Sequence, residues 1–327
     1  MTSPPSSRSP EVGEQSVGRF RVRKASFAEA LRLDGPSAAR SLSLPEAQRL
    51  TRDLATSHYE NFPVLTKLLP RPMRQPIADV YAFSRWADDL GDEVVGAESS
   101  LELLAWWQDE LDAAVAGSPR HPVMVALAES IRSCRLSREP FDDLLDAFRQ
   151  DQTQATYETN DQLLDYCRRS ANPVGRLVLA IGDAATDENI AASDRICTGL
   201  QLANFWQDVA RDAAIGRRYL PAETMTRYAI EPGELAAATT SDRLAAALFD
   251  HVVQARSLLQ SGAELPRRLP LRLGLVVDLF RRGGLAICDR IEQSRYRVLE
   301  RRPTVTKGDA IRELRRAITE RVLRRSG

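Results

Sequence analysis

The chain has 327 residues, 43% of them hydrophobic and 28% charged, and its 45 basic side chains are balanced by 45 acidic ones. That balance argues against a nucleic-acid binder working through bulk positive charge, and the length suits one large domain. The four cysteines (Cys134, Cys167, Cys197, Cys288) show no metal-ligand spacing, the N-terminal stretch has no apolar core, and no apolar run approaches a membrane span, which points to a reduced, cytoplasmic protein. Only three of the 45 basic residues are lysine (Lys24, Lys67, Lys307). The arginine excess reflects base composition or a need for bidentate phosphate ligands.

Residues 1–42 are rich in Ser, Pro, Gly and Arg without sustained periodicity and are expected to form a mostly disordered leader. Order is expected from Ser43-Leu44-Pro45-Glu46, a capping box with proline in the first turn. Leu50, Leu54, His58 and Phe62 then recur at helical spacing. Ser99-Ser100-Leu101-Glu102 is predicted to cap a helix running to Ala116, which Gly117-Ser118-Pro119 ends. Further helices are predicted over 121–133, 138–156, 161–171, 173–182, 190–213, 241–262, 271–300 and 307–325. Period-2 alternation is almost absent. With no repeat or linker in view, residues 43–327 are read as one all-α domain.

Two segments carry chemistry. In Val80-Tyr-Ala-Phe-Ser-Arg-Trp-Ala-Asp-Asp-Leu-Gly-Asp-Glu93, Asp88 and Asp92 stand four apart on one helix face, as do Asp89 and Glu93. Such like-charge pairs destabilise a helix by about 0.2–0.5 kcal/mol, and a cation between them reverses that. In Gln201-Leu-Ala-Asn-Phe-Trp-Gln-Asp-Val-Ala-Arg-Asp212, Asn204, Asp208 and Asp212 form an oxygen-bearing stripe that Gln201 extends. Hard oxygen ligands of this kind suit Mg²⁺ bridging to a substrate phosphate. Arg217 and Arg218 follow at once and can grip phosphate oxygens. Each segment alone reads equally as a solvated helix face. Together they indicate a diphosphate clamp.

These motifs resemble the squalene/phytoene synthase family over roughly residues 46–303. Asp88-x-x-x-Asp92 is similar to its first aspartate motif, with Tyr81 and Arg85 upstream, and Asn204-x-x-x-Asp208-x-x-x-Asp212 to its second, followed by Arg217-x-Tyr219. His58-Tyr-Glu-Asn-Phe-Pro63, Leu68-Leu-Pro70, Ser170-Ala-Asn-Pro-Val-Gly-Arg176, Asn204-Phe-Trp-Gln-Asp208, Gly283-Gly284, and Ile291-Glu292 with Tyr296 and Arg302-Pro303 resemble the hydroxysqualene synthase branch. The resemblance implies a single-domain helical bundle of isoprenoid-synthase type around a central cavity. It implies Mg²⁺-assisted ionisation of presqualene diphosphate, rearrangement and water capture in squalene and hopanoid biosynthesis. The alternative is a head-to-head prenyl transferase making presqualene diphosphate, squalene or phytoene.

The implied metal ligands are Asp88, Asp92, Asn204, Asp208 and Asp212. The implied catalytic residues are Tyr81, Arg85, Asn172 and Tyr219, and the substrate is expected to meet Phe62, Arg85, Gln201, Phe205, Arg217 and Arg218. A dry cavity with aromatic walls is required for a carbocation; Phe62, Tyr81, Phe83, Phe205 and Trp206 are candidates, core packing being the other reading. Asn172 either holds the attacking water or caps the helix opening at Pro173. Gly175, Gly182, Gly283 and Gly284 mark close helix packing or room for an isoprenoid tail. His58, His121 and His251 have no partner spacing and receive no role. The expected partner is a prenyl diphosphate and not a nucleic acid. Peripheral contact with the inner face of the membrane, through the arginine-rich 307–325 helix or for release of an apolar product, and association with other hopanoid-pathway enzymes remain open readings.

Overall fold

The computed structural model describes residues 27–38, 40–58 and 68–305. At Ser43 the backbone N–H donates to Glu46 Oε2 at 3.0 Å, so the expected capping box starts α2 (Leu44–His58). Pro72, in the first turn, suits the opening of the long helix α3 (Arg71–Asp92). It is followed by α4 (Ala97–Val115), α5 (Pro122–Cys134) and α6 (Glu139–Gln150). The second run comprises α7 (Asn160–Ser170), α8 (Asn172–Ile181), α9 (Asp187–Ala214) and α10 (Ala222–Arg227). A short 3₁₀ turn (Pro232–Ala236) precedes α11 (Asp242–Ser261), α12 (Leu265–Arg268) and α13 (Leu271–Gln293). Among the described residues the structure is all-α, and no helix is long and apolar enough to cross a membrane.

The helices gather around two axes. In the first half α3 is wrapped by α2, α4, α5 and α6; in the second, α9 packs along α11 and against α7, α8 and α13. Helix α8 touches both α3 and α9 and joins the halves. Phe83 of α3 is fully buried between Trp107 and Phe141, with ring centroids 5.8 and 5.2 Å away. The buried Asp79 accepts hydrogen bonds from Ser130 on α5 (2.6 Å) and Gln75 (2.7 Å), and also from Thr51 on α2, so its polar oxygens fasten three helices. One hydrophobic core spans both halves.

Several expectations are corrected. Within the supposed leader, Phe27–Asp34 forms a helix, α1, whose Phe27 ring packs edge-on against Trp86 at 5.3 Å, so order begins well before Ser43. Helix α4 starts after Gly96, three residues ahead of the expected Ser99 cap, with Ser100 already buried inside it. Helix α6 stops at Gln150 rather than 156. Helix α13 stops at Gln293 rather than 300, because Arg295 and Tyr296 take left-handed φ values of 56° and 62°. The predicted 307–325 helix lies outside the described residues.

The glycines divide cleanly. A Cβ on Gly175 would lie 2.3 Å from Ser193 Oγ, on Gly182 2.5 Å from Leu273, and on Gly284 2.8 Å from Leu200, so all three serve close helix packing. Gly283 differs, since a Cβ there meets nothing within 4 Å.

Candidate active site

Asp88 and Asp92 sit at the C-terminal end of α3, their side chains 44% and 49% exposed at the lip of the bundle. Arg85, one turn earlier, donates to Asp88 at 3.2 Å, to Asp89 at 3.0 Å and to Glu93 at 3.5 Å. Partial burial and the neighbouring Asp92 hold the Asp88 carboxyl above its ordinary range. Asp89 turns inward, and burial pushes it up to about 7 against the pull of Arg85.

The second stripe ends α9. Asn204 is exposed, while Gln201, Asp208 and Asp212 are half-buried. Burial, then the charge of Asp208, raises Asp212 to about 6. Past α9 the chain reverses at Gly216, whose φ of 79° is a left-handed value that glycine adopts without steric cost. The Arg217 N–H then donates back to the Asp212 carbonyl at 2.9 Å, and the Arg218 N–H to the Ala155 carbonyl at 2.8 Å. This folded-back loop carries the Arg217 guanidinium to Asp92, with Nη2 to Oδ1 at 2.8 Å. The two motifs, far apart in sequence, thus share one mouth. Arg218 is half-buried beside Asp212 and Tyr219, and its Nε is buried with no hydrogen-bond partner among the described residues.

The wall beside this mouth is aromatic. Tyr219 stacks on Phe205 with centroids 3.7 Å apart and planes 11° apart, and Tyr166 stacks on Tyr219 at 6.1 Å. The Tyr166 hydroxyl donates to Asp151 Oδ2 at 2.8 Å. Tyr81 is half-buried on α3, one turn before Arg85 and close enough to act on its charge. Phe83 and Trp206 follow the core-packing reading: both are fully buried, and Trp206 packs on His251 of α11 at 4.5 Å. Phe62 and the side chain of His58 lie outside the described residues.

Asn172 does not cap α8. It is the first residue of that helix, 5% exposed, and its Oδ1 accepts the Thr198 hydroxyl of α9 at 2.9 Å. Thr198 is one turn before Gln201, so the pair continues the polar stripe into the interior. His121 and His251 are buried structural groups. His121 Nδ1 accepts the Val123 N–H at the start of α5 (3.1 Å), and His251 shares a hydrogen bond with Thr224 (3.0 Å).

Three residues near the mouth carried no predicted role: Asp151, Tyr166 and Arg302. Arg302 donates to Asp208 Oδ2 at 2.9 Å and to Gln207 at 3.0 Å, reaching α9 from the segment after α13. It was singled out only as a local likeness. An acidic residue just past a helix C-terminus, where the dipole disfavours it, was the available signal for Asp151.

Among the described residues no three His, Cys, Asp or Glu side chains stand close enough to hold a metal ion by themselves. What the site offers is two pairs of carboxylates, one turn apart on each helix, with Asp88 raised by Asp92 and Asp212 by Asp208. Mutually repelling oxygen pairs at an open lip fit Mg²⁺, which keeps several waters and takes one or two carboxylates plus phosphate oxygens.

A family model described as squalene/phytoene synthase matches residues 55–309. A hydroxysqualene synthase of Rhodopseudomonas palustris is 34% identical over 241 residues, 72% of this chain and 79% of its own length. A phytoene synthase of Arthrospira platensis is 29% identical over 277 residues, 80% of this chain and 88% of its own. Among solved structures, squalene synthase HpnC from Alicyclobacillus acidocaldarius superposes with a TM-score of 0.75 at 39% identity, covering 79% of this chain and 97% of that one. The chain belongs to the squalene/phytoene synthase family, and its helical bundle has that family's fold.

Proposed function

We propose that the protein converts presqualene diphosphate and water into hydroxysqualene, releasing diphosphate. The observation that carries the reading is the Arg217–Asp92 contact of 2.8 Å, which brings both carboxylate helices and their arginines to one mouth. Arg85, Arg217 and Arg218 gather the phosphate oxygens and stabilise the charge that develops on the leaving group. Mg²⁺ held by Asp88 and Asp92, and by Asn204, Asp208 and Asp212, would supply further Lewis-acid neutralisation of that charge. The stacked Phe205 and Tyr219 rings offer π-density without a nucleophile to the cation that remains.

Water capture requires one water held by two or more polar partners in apolar surroundings. The buried Asn172–Thr198 pair, with Gln201 one turn further along α9, supplies those partners. Similarity to the hydroxysqualene synthase of Rhodopseudomonas palustris is in keeping with this ending. The coverage of the phytoene synthase from Arthrospira platensis supports a second reading, a head-to-head prenyl transferase.

One assay separates the two. Purified protein with Mg²⁺ and presqualene diphosphate in ¹⁸O-water is expected to give labelled hydroxysqualene, with or without NADPH. Unlabelled alcohol rejects water capture, and NADPH-dependent squalene as the main product moves the chain to a reductive sister. Condensation of farnesyl or geranylgeranyl diphosphate, with presqualene diphosphate left unconverted, establishes the transferase.

A further inference from the structure

Arg302 holds Asp208 in the way a cation would. Its Nε donates to Asp208 Oδ1 and its Nη2 to Asp208 Oδ2 at 2.9 Å, so one guanidinium engages both carboxylate oxygens. The same Nη2 donates to Gln207 Oε1 at 3.0 Å, and Gln207 Nε2 donates to the Pro303 carbonyl. Two tail residues are thus latched onto two residues of α9. The Asp208 side chain is 17% exposed and that of Arg302 45%, so the guanidinium stands on the solvent side of the pair.

The tail is attached twice. Just before the latch, the Leu299 N–H donates to Thr240 Oγ1 at 3.2 Å, and Glu300 accepts from the Thr240 N–H and hydroxyl at 3.0 and 2.7 Å. Release of Arg302 therefore frees the chain beyond Glu300 and leaves the upstream attachment closed. The other arginines of the mouth are more firmly placed. Arg85 stands on α3 itself, and the Arg217 N–H is tied to the Asp212 carbonyl. A hard divalent cation needs the oxygens that the Arg302 guanidinium engages, and two positive charges on one carboxylate repel each other. We propose that Arg302 is a resident counter-ion of the second carboxylate motif: it holds Asp208 until a divalent metal takes its place, and its departure unlatches residues 301–305. The inference rests on the metal-site reading given above.

Metal binding without substrate tests it. Mn²⁺ suits the same oxygen ligands as Mg²⁺, and its free form is counted by electron paramagnetic resonance as it is titrated into the full chain. Arg302→Gln is expected to bind Mn²⁺ about tenfold more tightly, with its helical circular-dichroism spectrum retained. Arg301→Gln removes the same charge one residue earlier, from an exposed side chain, and is expected to leave the affinity unchanged. Limited elastase digestion read by mass spectrometry follows the tail. Cuts within 301–305 are expected to speed up severalfold when Mn²⁺ saturates the wild-type chain, and to be already fast in metal-free Arg302→Gln. Unchanged or weaker binding by Arg302→Gln, loss of its helical spectrum, equal tightening by Arg301→Gln, or protection of 301–305 by Mn²⁺ would each overturn the proposal. A wild-type chain that takes up no Mn²⁺ overturns the metal site itself, and is recognised because no substitution is involved.

Discussion

The halves built on α3 and α9 end in the same chemical device and hold it differently. Each places carboxylates one turn apart at the C-terminal end of its axial helix. In the α3 half the counter-charge is local, since Arg85 reaches Asp88 from the preceding turn at 3.2 Å. In the α9 half it is remote: Arg302 reaches Asp208 at 2.9 Å from a segment 94 residues away. That segment is fastened by the Thr240 hydroxyl, which donates to Glu300 at 2.7 Å, and by the burial of Val298. The Arg85 contact of the first motif therefore forms with its helix, although Asp92 still waits for Arg217, whereas the Asp208 contact of the second depends on the tail folding back. Equal spacing in the sequence hides unequal dependence on the fold.

The largest expected effect tests whether both devices serve one reaction. Asp88→Ala and Asp208→Ala should each lower turnover by about a hundredfold or more, with the helical circular-dichroism spectrum retained. Each removes a ligand oxygen, and neither empties the core, because both side chains lie at the lip. Full activity in either variant, or in EDTA, would leave a single working motif and break the pairing of the halves.

Stability against pH sharpens the comparison next, because each half buries a histidine. Burial lowers His121 in the first half to about 3, with the Arg40 charge adding to it, and lowers His251 in the second to about 4. Above the unfolded value near 6.5 both states carry neutral imidazole, and nothing is gained or lost. Below it the unfolded chain binds protons on these two groups that the folded chain does not, so the histidines' share of the stability falls as pH drops from 6.5 toward 4 and 3. The loss at pH 5 is on the order of 2 kcal/mol for each histidine. Asp89 and Asp212, whose raised carboxyls gain stability over the same range, act in the opposite direction. Urea unfolding at pH 7 and pH 5 is therefore compared between the chain and its His251→Gln variant, and an unchanged pH dependence in the variant would refute the assignment.

Much of this was legible in local sequence, and the failures share a cause. The Ser43 cap and both carboxylate stripes depend on residues three and four apart, and they fold as expected. Helix α1 was missed because its anchor, Phe27 on Trp86, is a tertiary contact inside a stretch of loop-like composition. The end of α13 was missed because non-glycine residues take the left-handed turn, so no local signal marks it. Phe205 and Trp206 are adjacent on one helix and chemically alike. Only the placement of His251 on α11 decides that Trp206 packs inward while Phe205 meets Tyr219. The same holds for Arg302, whose role exists only after the tail has returned to α9.

Gln207 offers a smaller, more specific cut at that return. It is 6% exposed, its Nε2 donates to the Pro303 carbonyl, and its Oε1 accepts from Arg302 at 3.0 Å. Gln207→Leu fills similar space but leaves the carbonyl unpaired, at a cost of about 1–3 kcal/mol. Proteolysis after residue 293 should accelerate in this variant while the α3 half keeps its protection. Uniform acceleration along the chain would mean that the two halves open together.

The smallest effect concerns the seam itself. Gly216 has a φ of 79°, and a Cβ added there meets nothing within 4 Å. Gly216→Ala therefore pays only for the backbone, about 1 kcal/mol if the left-handed turn persists, and Gly216→Asn less because asparagine tolerates that region. The alternative is that alanine relaxes the turn, in which case the Arg217 N–H leaves the Asp212 carbonyl and the guanidinium leaves Asp92. Urea unfolding and pyrophosphate titration separate the outcomes. A stability loss near 1 kcal/mol with unchanged pyrophosphate affinity shows that the turn holds and the halves stay joined. Little loss of stability with weakened pyrophosphate shows that the turn has relaxed, and that the left-handed conformation of Gly216 is what keeps the first motif in reach of the second.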